Sequence, residues 1–449
     1  MGTAVCGQQT QNIVGGSGSI RDVPPDTDLF RSPKGVHDVL PPESGRWVDL
    51  VGRFAARAQN AGFGLVVSPM FEHVEVFERV GEQTDVVSKE MYTLTDKGGR
   101  ALALRPEGTA GVVRAYVQHH PTPPWKVFYV APNFRYERAQ KGRYRQHWQV
   151  GVEVLGTDDS DADVEVIALL AGFYADLGLA GVRLLLNSMG DAESRPEYIL
   201  ALRSYLLANA EGLGDDFRTR AEGNPLRVLD SKLEEWQDVI ERAPQLTEYL
   251  STESRDHFER VQAGLMALGV DYELMPRLVR GFDYYTSTTF EFQSMALDSA
   301  QNAIGGGGRY DGLAQQMGGD PTPGIGFGAG IERTLLAIDS QGDVANSERT
   351  LDAYVVDGCG PTRSTDVLVL VGALRDAGLA VDRAFDGRSL KAQWKSADRS
   401  GARFGVMLGS DEAARDAVAV KDMATGEQVE VPRVSLAVWL HDKRVDLTQ

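Results

Sequence analysis

Two stretches with strand character bracket one dense run of positive charge, and this arrangement restricts the chain more than any other feature. Lys126-Val127-Phe128-Tyr129-Val130 is apolar, aromatic and β-branched, the composition of a buried strand. From His147 to Val154, the residues Trp148, Val150, Val152 and Val154 alternate with His147, Gln149 and Glu153. That period of two predicts a strand with one apolar and one polar face. Between the two, Phe134 to Gln146 reads FRYERAQKGRYRQ and carries Arg135, Arg138, Lys141, Arg143 and Arg145 around Glu137. Such a loop can hold a polyphosphate from above while the polar strand face reads a small molecule below. The competing reading is a solvated charged hairpin, and Glu137, Gln149 and Glu153 weigh against it.

The basic run stands out because the chain as a whole is acidic, with a formal net charge of −18 over 449 residues. That balance disfavours indiscriminate binding to a phosphate backbone, although a local basic patch still acts within a Debye length. A chain of this length is expected to form two or three domains. Its two cysteines, Cys6 and Cys359, supply neither a disulfide framework nor a cysteine-based zinc site. The seven histidines, His119-His120 among them, lack ligand spacing, so no protein metal site is expected. Neither a signal peptide nor an apolar run of spanning length is visible, and Cys6 stands where a myristoylation motif needs Ser or Thr. The expectation is a cytoplasmic protein without membrane association.

Residues 1–30 are polar and rich in Gly, Gln and Asp, a mobile tail by composition. An amphipathic helix is predicted from Ser44, with Trp47, Leu50, Val51, Phe54, Ala55 and Ala58 on one face and Gly62 as a stop. A strand Leu65-Val66-Val67-Ser68 then ends at Pro69. One large unit is expected over 31–340, with a mostly helical and more polar insertion at about 191–273. Asp339 to Thr350 reads as a polar connector, and alternating strand and helix patterns over 351–449 predict a small α/β domain.

Several short segments carry candidate chemistry. The glycines of Gly324-Ile325-Gly326-Phe327-Gly328-Ala329-Gly330 strip side chains from one strand face, so that a flat ligand or another backbone can lie close. Arg333 follows one turn into the next helix. In Arg280-Gly281-Phe282-Asp283-Tyr284-Tyr285 the tyrosines suit either the core or a polar pocket. Leu104-Arg105-Pro106-Glu107-Gly108-Thr109 places Glu107 where it can cap a helix or meet a ligand. No Walker loop, nucleophile elbow or Cys/His pair is present. Arginines, carboxylates, a glutamine and tyrosines remain, a set suited to positioning and charge stabilisation rather than covalent catalysis.

Taken in order, these segments resemble the class II aminoacyl-tRNA synthetases. The helix, strand and Pro69 resemble the first class motif, Phe134-Arg135-Tyr136-Glu137 with its basic loop the second, and Gly326 to Arg333 the third. Leu278 to Tyr285 and Gly306-Gly307-Gly308-Arg309-Tyr310-Asp311-Gly312 resemble the signatures specific to the histidyl-tRNA synthetase family. The matches run from about Pro33 into the C-terminal domain.

The resemblance implies an α+β catalytic core, a six-stranded antiparallel sheet flanked by helices, with a helical insertion and a C-terminal α/β anticodon-binding domain, assembled as a homodimer. It implies ATP and L-histidine as substrates, Mg²⁺ with the ATP phosphates, and a histidine-accepting tRNA as partner. By that resemblance Arg135 and Arg280 are the catalytic arginines at the α-phosphate, and Glu137, Arg143 and Arg333 bind the rest of ATP. Glu107, Thr109, Gln149, Glu153, Arg280, Tyr285 and Tyr310 would bind histidine, and Arg138 and Gln140 would meet the acceptor end of tRNA. Ala139, the pair His147-Trp148, and Ser287 depart from the family's usual residues. The rival expectation is a non-catalytic regulatory subunit of ATP phosphoribosyltransferase on the same fold. Such subunits typically lack the C-terminal domain and the intact Arg-Gly signature, both present here as the region from Asp352 and Arg280-Gly281.

Overall fold

The two strands flanking the arginine run pair with each other in a computed structural model that describes residues 30–81, 84, 86–138, 140, 142–191, 193–229, 231, 233–278, 284–298, 301–342, 351–359, 365–385 and 387–445. They belong to a sheet whose strands, in chain order, are β1 (Gly64–Leu65), β2 (Trp125–Phe134), β3 (Gln146–Leu155), β4 (Val182–Ser188), β5 (Glu273–Leu274), β6 (Thr286–Ser294), β7 (Ala303–Arg309) and β8 (Gly324–Gly330). The spatial order is β1-β2-β3-β8-β7-β6-β4-β5. The six central strands are antiparallel, and a two-residue strand pairs in parallel at each edge. The six-stranded expectation therefore describes the centre, and the edges bring the sheet to eight. The strand expected at Leu65–Ser68 contracts to the β1 pair, whereas that at Lys126–Val130 extends to Phe134.

Alternation assigns the two faces. Val150, Val152 and Val154 of β3 join Phe128, Phe290, Phe292, Ile325 and Phe327 on one face. That face is covered by helices α1 (Glu43–Asn60), α2 (Ser160–Asp176), α3 (Thr252–Ala267) and α4 (Ile331–Ser340). Phe54 of α1 meets Phe128 and Phe327 edge-on, each at 6.2 Å between centroids. Each such fully buried side chain contributes roughly 1.5–3 kcal/mol. Trp148 turns to this face and meets Trp47 of α1 edge-on at 4.9 Å, which accommodates the unusual tryptophan. The opposite face carries Val127, Tyr129 and Ala131 of β2 under the helix Thr109–His119, with Tyr284, Tyr285, Tyr310 and Leu313.

Four helical segments at Ser194–Ala208, Gly214–Gly223, Leu226–Leu229 and Glu234–Glu241 form a core of their own around Tyr198, Phe217 and Trp236. α3 does not join that core. Its Phe258, Val261 and Leu265 pack into the main one, and the residues of the separate helical core lie between Met189 and Leu250.

The C-terminal unit builds a five-stranded sheet from Ala353–Gly358, Val381–Arg383, Phe404–Gly409, Ala417–Asp422 and Gln428–Pro432. The first three are parallel and the last two add as an antiparallel hairpin. Val355, Val406, Val418, Leu370 and Leu374 form its separate core. Of the expected connector, Asp339 and Ser340 end α4, and 343–350 lie outside the described residues, as do 1–29.

Candidate active site

A cavity of about 380 Å³ opens on the polar face of the sheet, walled by Glu107, Thr109, Tyr129, Arg135, Glu137, Arg143, His147, Gln149, Tyr285, Glu291, Glu332 and Arg333 among others. β3 places His147 and Gln149 in it because they fall out of phase with the core valines. The turn before the helix Thr109–His119 is held by Arg105, whose Nε donates to the Pro132 carbonyl at 2.7 Å and whose Nη1 donates to the Ser68 carbonyl at 3.1 Å.

Glu107 caps the helix and faces the cavity. Its carboxylate accepts from the Thr109 and Ala110 amides at 2.6 and 2.7 Å, capping the helix, and it also lines the cavity. Burial raises its pKa against those amides and the nearby Arg135. Glu153 lies behind the wall, 0 % exposed, accepting from Thr109 Oγ1 at 2.7 Å and from the Tyr310 hydroxyl. Burial pushes it up to about 8, although both hydrogen bonds favour its charged form, and the Glu107 charge adds to the rise. Gln149 Oε1 accepts from Asn133 Nδ2 at 2.7 Å, leaving the Gln149 amide nitrogen to address a ligand.

Arginines dominate the other half. Arg333 donates from Nε to the Gly142 carbonyl at 3.1 Å and from Nη1 to the Ala303 carbonyl at 3.0 Å, so two carbonyls hold its fork. Burial lowers its pKa, and Arg143 and Arg135 act in the same direction while Glu137 and Glu291 oppose them. Arg143 pairs with Glu137 at 2.9 Å, and Arg135 Nε donates to the Pro106 carbonyl at 2.9 Å. His147 is held down at about 3 by burial and by Arg135 and Arg333, hence neutral at physiological pH. Arg135 thus acts on groups in both halves, on Glu107 in one and on His147 and Arg333 in the other. A cavity with carboxylates, tyrosines and an amide at one end and converging guanidinium groups at the other suits an amino acid beside a polyphosphate.

Of the expected site residues, Glu107, Thr109, Arg135, Glu137, Arg143, Gln149, Tyr285 and Arg333 come together around this cavity. Glu153 and Tyr310 form its buried backing. Arg138 and Gln140 are exposed on the loop and do not line it. Arg145 lies with its guanidinium over the Tyr136 ring at 3.9 Å. Arg280 lies outside the described residues, as does Ala139. Ser287 adopts φ +47°, with its amide donating to the Gly190 carbonyl at 2.9 Å.

Sequence reasoning passed over Tyr129, Asn133, Glu291 and Glu332. A period of two through β2 puts Tyr129, Ala131 and Asn133 on one face, and an asparagine within an apolar strand is a usable signal. Glu332 accepts from the Trp148 amide at 2.9 Å and is pushed up to about 7 chiefly by burial. Nothing in the sequence distinguishes it from an ordinary acidic residue in a first helical turn.

A family model described as Histidyl-tRNA synthetase matches residues 35–334, and one described as Anticodon binding domain matches 359–443. A histidine–tRNA ligase of Nocardia farcinica is 48 % identical over 410 residues, covering 90 % of this chain and 96 % of the relative. The enzyme of that name from Geobacillus kaustophilus is 47 % identical over 420 residues, covering 92 % of this chain and 98 % of its own. Among solved structures, apo histidyl-tRNA synthetase of S. aureus superposes with a TM-score of 0.76 at 35 % identity, covering 92 % of this chain and all of the other.

Proposed function

The chain belongs to the histidyl-tRNA synthetase family, and from that premise we propose that its cavity activates L-histidine with ATP and passes it to the 3′ end of a histidine-accepting tRNA. The observation that supports this reading is one cavity lined both by Glu107, Thr109, Gln149 and Tyr285 and by Arg135, Arg143 and Arg333.

Histidine enters with its α-ammonium toward Glu107 and Thr109, an acceptor group toward the Gln149 amide nitrogen, and its imidazole toward Tyr285 and the Glu153–Tyr310 pair. ATP lies along Arg135, Arg143 and Arg333, with Glu137 keeping Arg143 in place. The histidine carboxylate attacks the α-phosphorus, forming an acyl–phosphate bond and breaking the bond from that phosphorus to the bridging oxygen, which leaves with pyrophosphate. Arg135 and Arg280 balance charge on the α-phosphate as it builds. In the second step the terminal ribose hydroxyl of tRNA attacks the histidyl carbonyl and AMP departs. Neither step requires a protein nucleophile. Alignment of the reactants supplies roughly 7–11 kcal/mol, and preorganised guanidinium groups add charge stabilisation.

ATP arrives as its magnesium complex. Glu291 and Glu332 line the arginine half, and one or two carboxylates beside phosphate oxygens fit the way such an ion is held. Magnesium would screen charge on the phosphates there. The C-terminal unit reads the anticodon, Arg138 and Gln140 face the acceptor end, and the working form is a cytoplasmic homodimer. The regulatory-subunit alternative is less supported, because the match to the relatives runs nearly end to end and takes in the C-terminal domain.

Histidine-dependent ATP–pyrophosphate exchange tests the reading, with other amino acids as controls. Exchange with histidine alone is expected. A folded protein that binds histidine without exchange would favour the regulatory reading.

A further inference from the structure

Behind the amino-acid half of the cavity lies a buried charge network that the proposed chemistry does not touch. Arg309, which ends β7, is 2 % exposed, and Asp163 in the first turn of α2 is fully buried. Arg309 Nε donates to Asp163 Oδ1 at 3.0 Å, and Nη2 donates to the same carboxylate. Nη1 donates to the Thr157 carbonyl at 3.0 Å and to Asp311 Oδ1 at 3.3 Å, while Nη2 also reaches the Asp159 carbonyl at 3.2 Å. Every nitrogen of the fork is engaged. On the far side, His257 Nε2 of α3 lies 2.8 Å from Asp163 Oδ2. Burial by itself would raise the Asp163 carboxyl, yet His257 and Arg309 hold it below its ordinary value.

A buried ion pair is weak evidence of stabilisation, since apolar replacements of similar volume often do as well. What this one does supply is direction. The residue after Arg309 is Tyr310, whose hydroxyl donates to Glu153 Oε2. The next, Asp311, accepts from the Gly324 amide and from Thr286 Oγ1, each at 3.2 Å, and Thr286 follows Tyr285. Clamping Arg309 therefore fixes the backbone that carries Tyr310 and Asp311. A planar fork held on several acceptors permits one orientation, which a lysine cannot reproduce.

We infer that Arg309 and Asp163 are positioning residues for histidine, acting through Tyr310 on Glu153, and that His257 ties this clamp to the helix that follows the inserted helical body. The inference rests on the activation reading above. The clamp should govern affinity for histidine and leave the ATP half of the cavity unaffected.

The test is pyrophosphate exchange with Arg309→Lys, Asp163→Asn and His257→Gln, measuring KM for histidine and for ATP separately. The first two should raise the histidine KM by about tenfold or more, the effect of ~1.4 kcal/mol, with the ATP KM within about twofold of wild type. His257→Gln, at the outer end, should give a smaller rise in the same direction. Arg309→Lys combined with Tyr310→Phe should be about as impaired as Tyr310→Phe alone, because residues acting through one another are not additive. Unchanged histidine KM in folded variants, equal rises in both KM values, or multiplicative losses in the double variant would each overturn the clamp. Should Arg309→Lys fail to fold, Asp163→Asn and His257→Gln decide the matter by the same split. Absence of exchange in the wild-type protein would instead remove the activation reading itself.

Discussion

Gly326 lies directly opposite Glu153 across the pairing of β8 with β3, and a Cβ built on it would overlap the Glu153 Oε2 atom. A Cβ built on Gly324 would likewise overlap the Tyr310 ring. The glycine stripe therefore clears space for the side chains that back the amino-acid half. Gly326→Ala is expected to push the Glu153 carboxylate out of place at a cost of roughly 1–3 kcal/mol, the scale of overpacking in a tight interior. Histidine KM in the exchange assay should rise accordingly, and a wild-type KM would show that the carboxylate relaxes without loss.

The Glu153 carboxyl titrates at about 8 in the folded protein and near 4.3 in an unfolded chain. Between those values the folded protein keeps a proton that the unfolded chain has released. Its stabilising contribution is therefore complete below the lower value and disappears as pH rises through the window, by an amount on the order of a few kcal/mol. Glu153→Gln cannot titrate, so urea unfolding of the ligand-free variant should show a shallower loss of stability between about pH 5 and pH 8. Glu332, pushed up to about 7, leaves a residual slope of the same sign. Superimposable pH profiles for variant and wild type would count against a protonated Glu153.

Arg333 is held at its base by two carbonyls and lines the arginine half. Arg333→Ala should raise the KM for ATP by tenfold or more, since a hydrogen bond to a charged group contributes about 1.5–3 kcal/mol. The histidine KM should stay within about twofold, below the ~1.4 kcal/mol that a tenfold change represents. A selective effect on histidine would reverse the assignment of the two halves.

Arg280→Ala should lower the rate of adenylate formation by about a hundredfold or more, as with the loss of other charge-stabilising donors. Single-turnover kinetics with histidine and ATP would measure it. A near-normal rate would remove this arginine from the catalytic set.

Arg138 and Gln140 are exposed on the loop above the cavity and are proposed to meet tRNA only. Arg138→Ala should reduce tRNA charging by about tenfold, the scale of one lost charge-assisted hydrogen bond. Pyrophosphate exchange, which needs no tRNA, should be unaffected, and a parallel fall in both activities would place Arg138 in the activation step.

Much of this arrangement is legible in the sequence because β3 serves the core with one face and the site with the other. Val150, Val152 and Val154 mark its inner side, so Gln149 and Glu153 had to fall on the outer one. Asn133 was less legible, because what makes it matter is the strand register, which sets it opposite His147 and diagonally within reach of Gln149. The partner of Arg309 lies 146 residues away in the chain, beyond the reach of any local pattern. α3 reads as helical from its spacing, with Phe258, Val261 and Leu265 on one stripe. Spacing shows that a stripe is buried, but not which of two neighbouring cores receives it.

The cleared strand face also limits how the site can change. Over Gly324, Gly326 and Gly328 the ground beneath the amino-acid half is a layer of three side chains, Tyr310, Glu153 and Gln149, laid against main chain. A larger amino acid can be admitted only by shortening one of those three, because the glycines under them have no side chains to lose. Those side chains are hydrogen-bonded to one another or to the walls, so one replacement unsettles its neighbours. Selectivity is thereby written into the framework that makes the fold, and grafted loops alone would leave it unchanged.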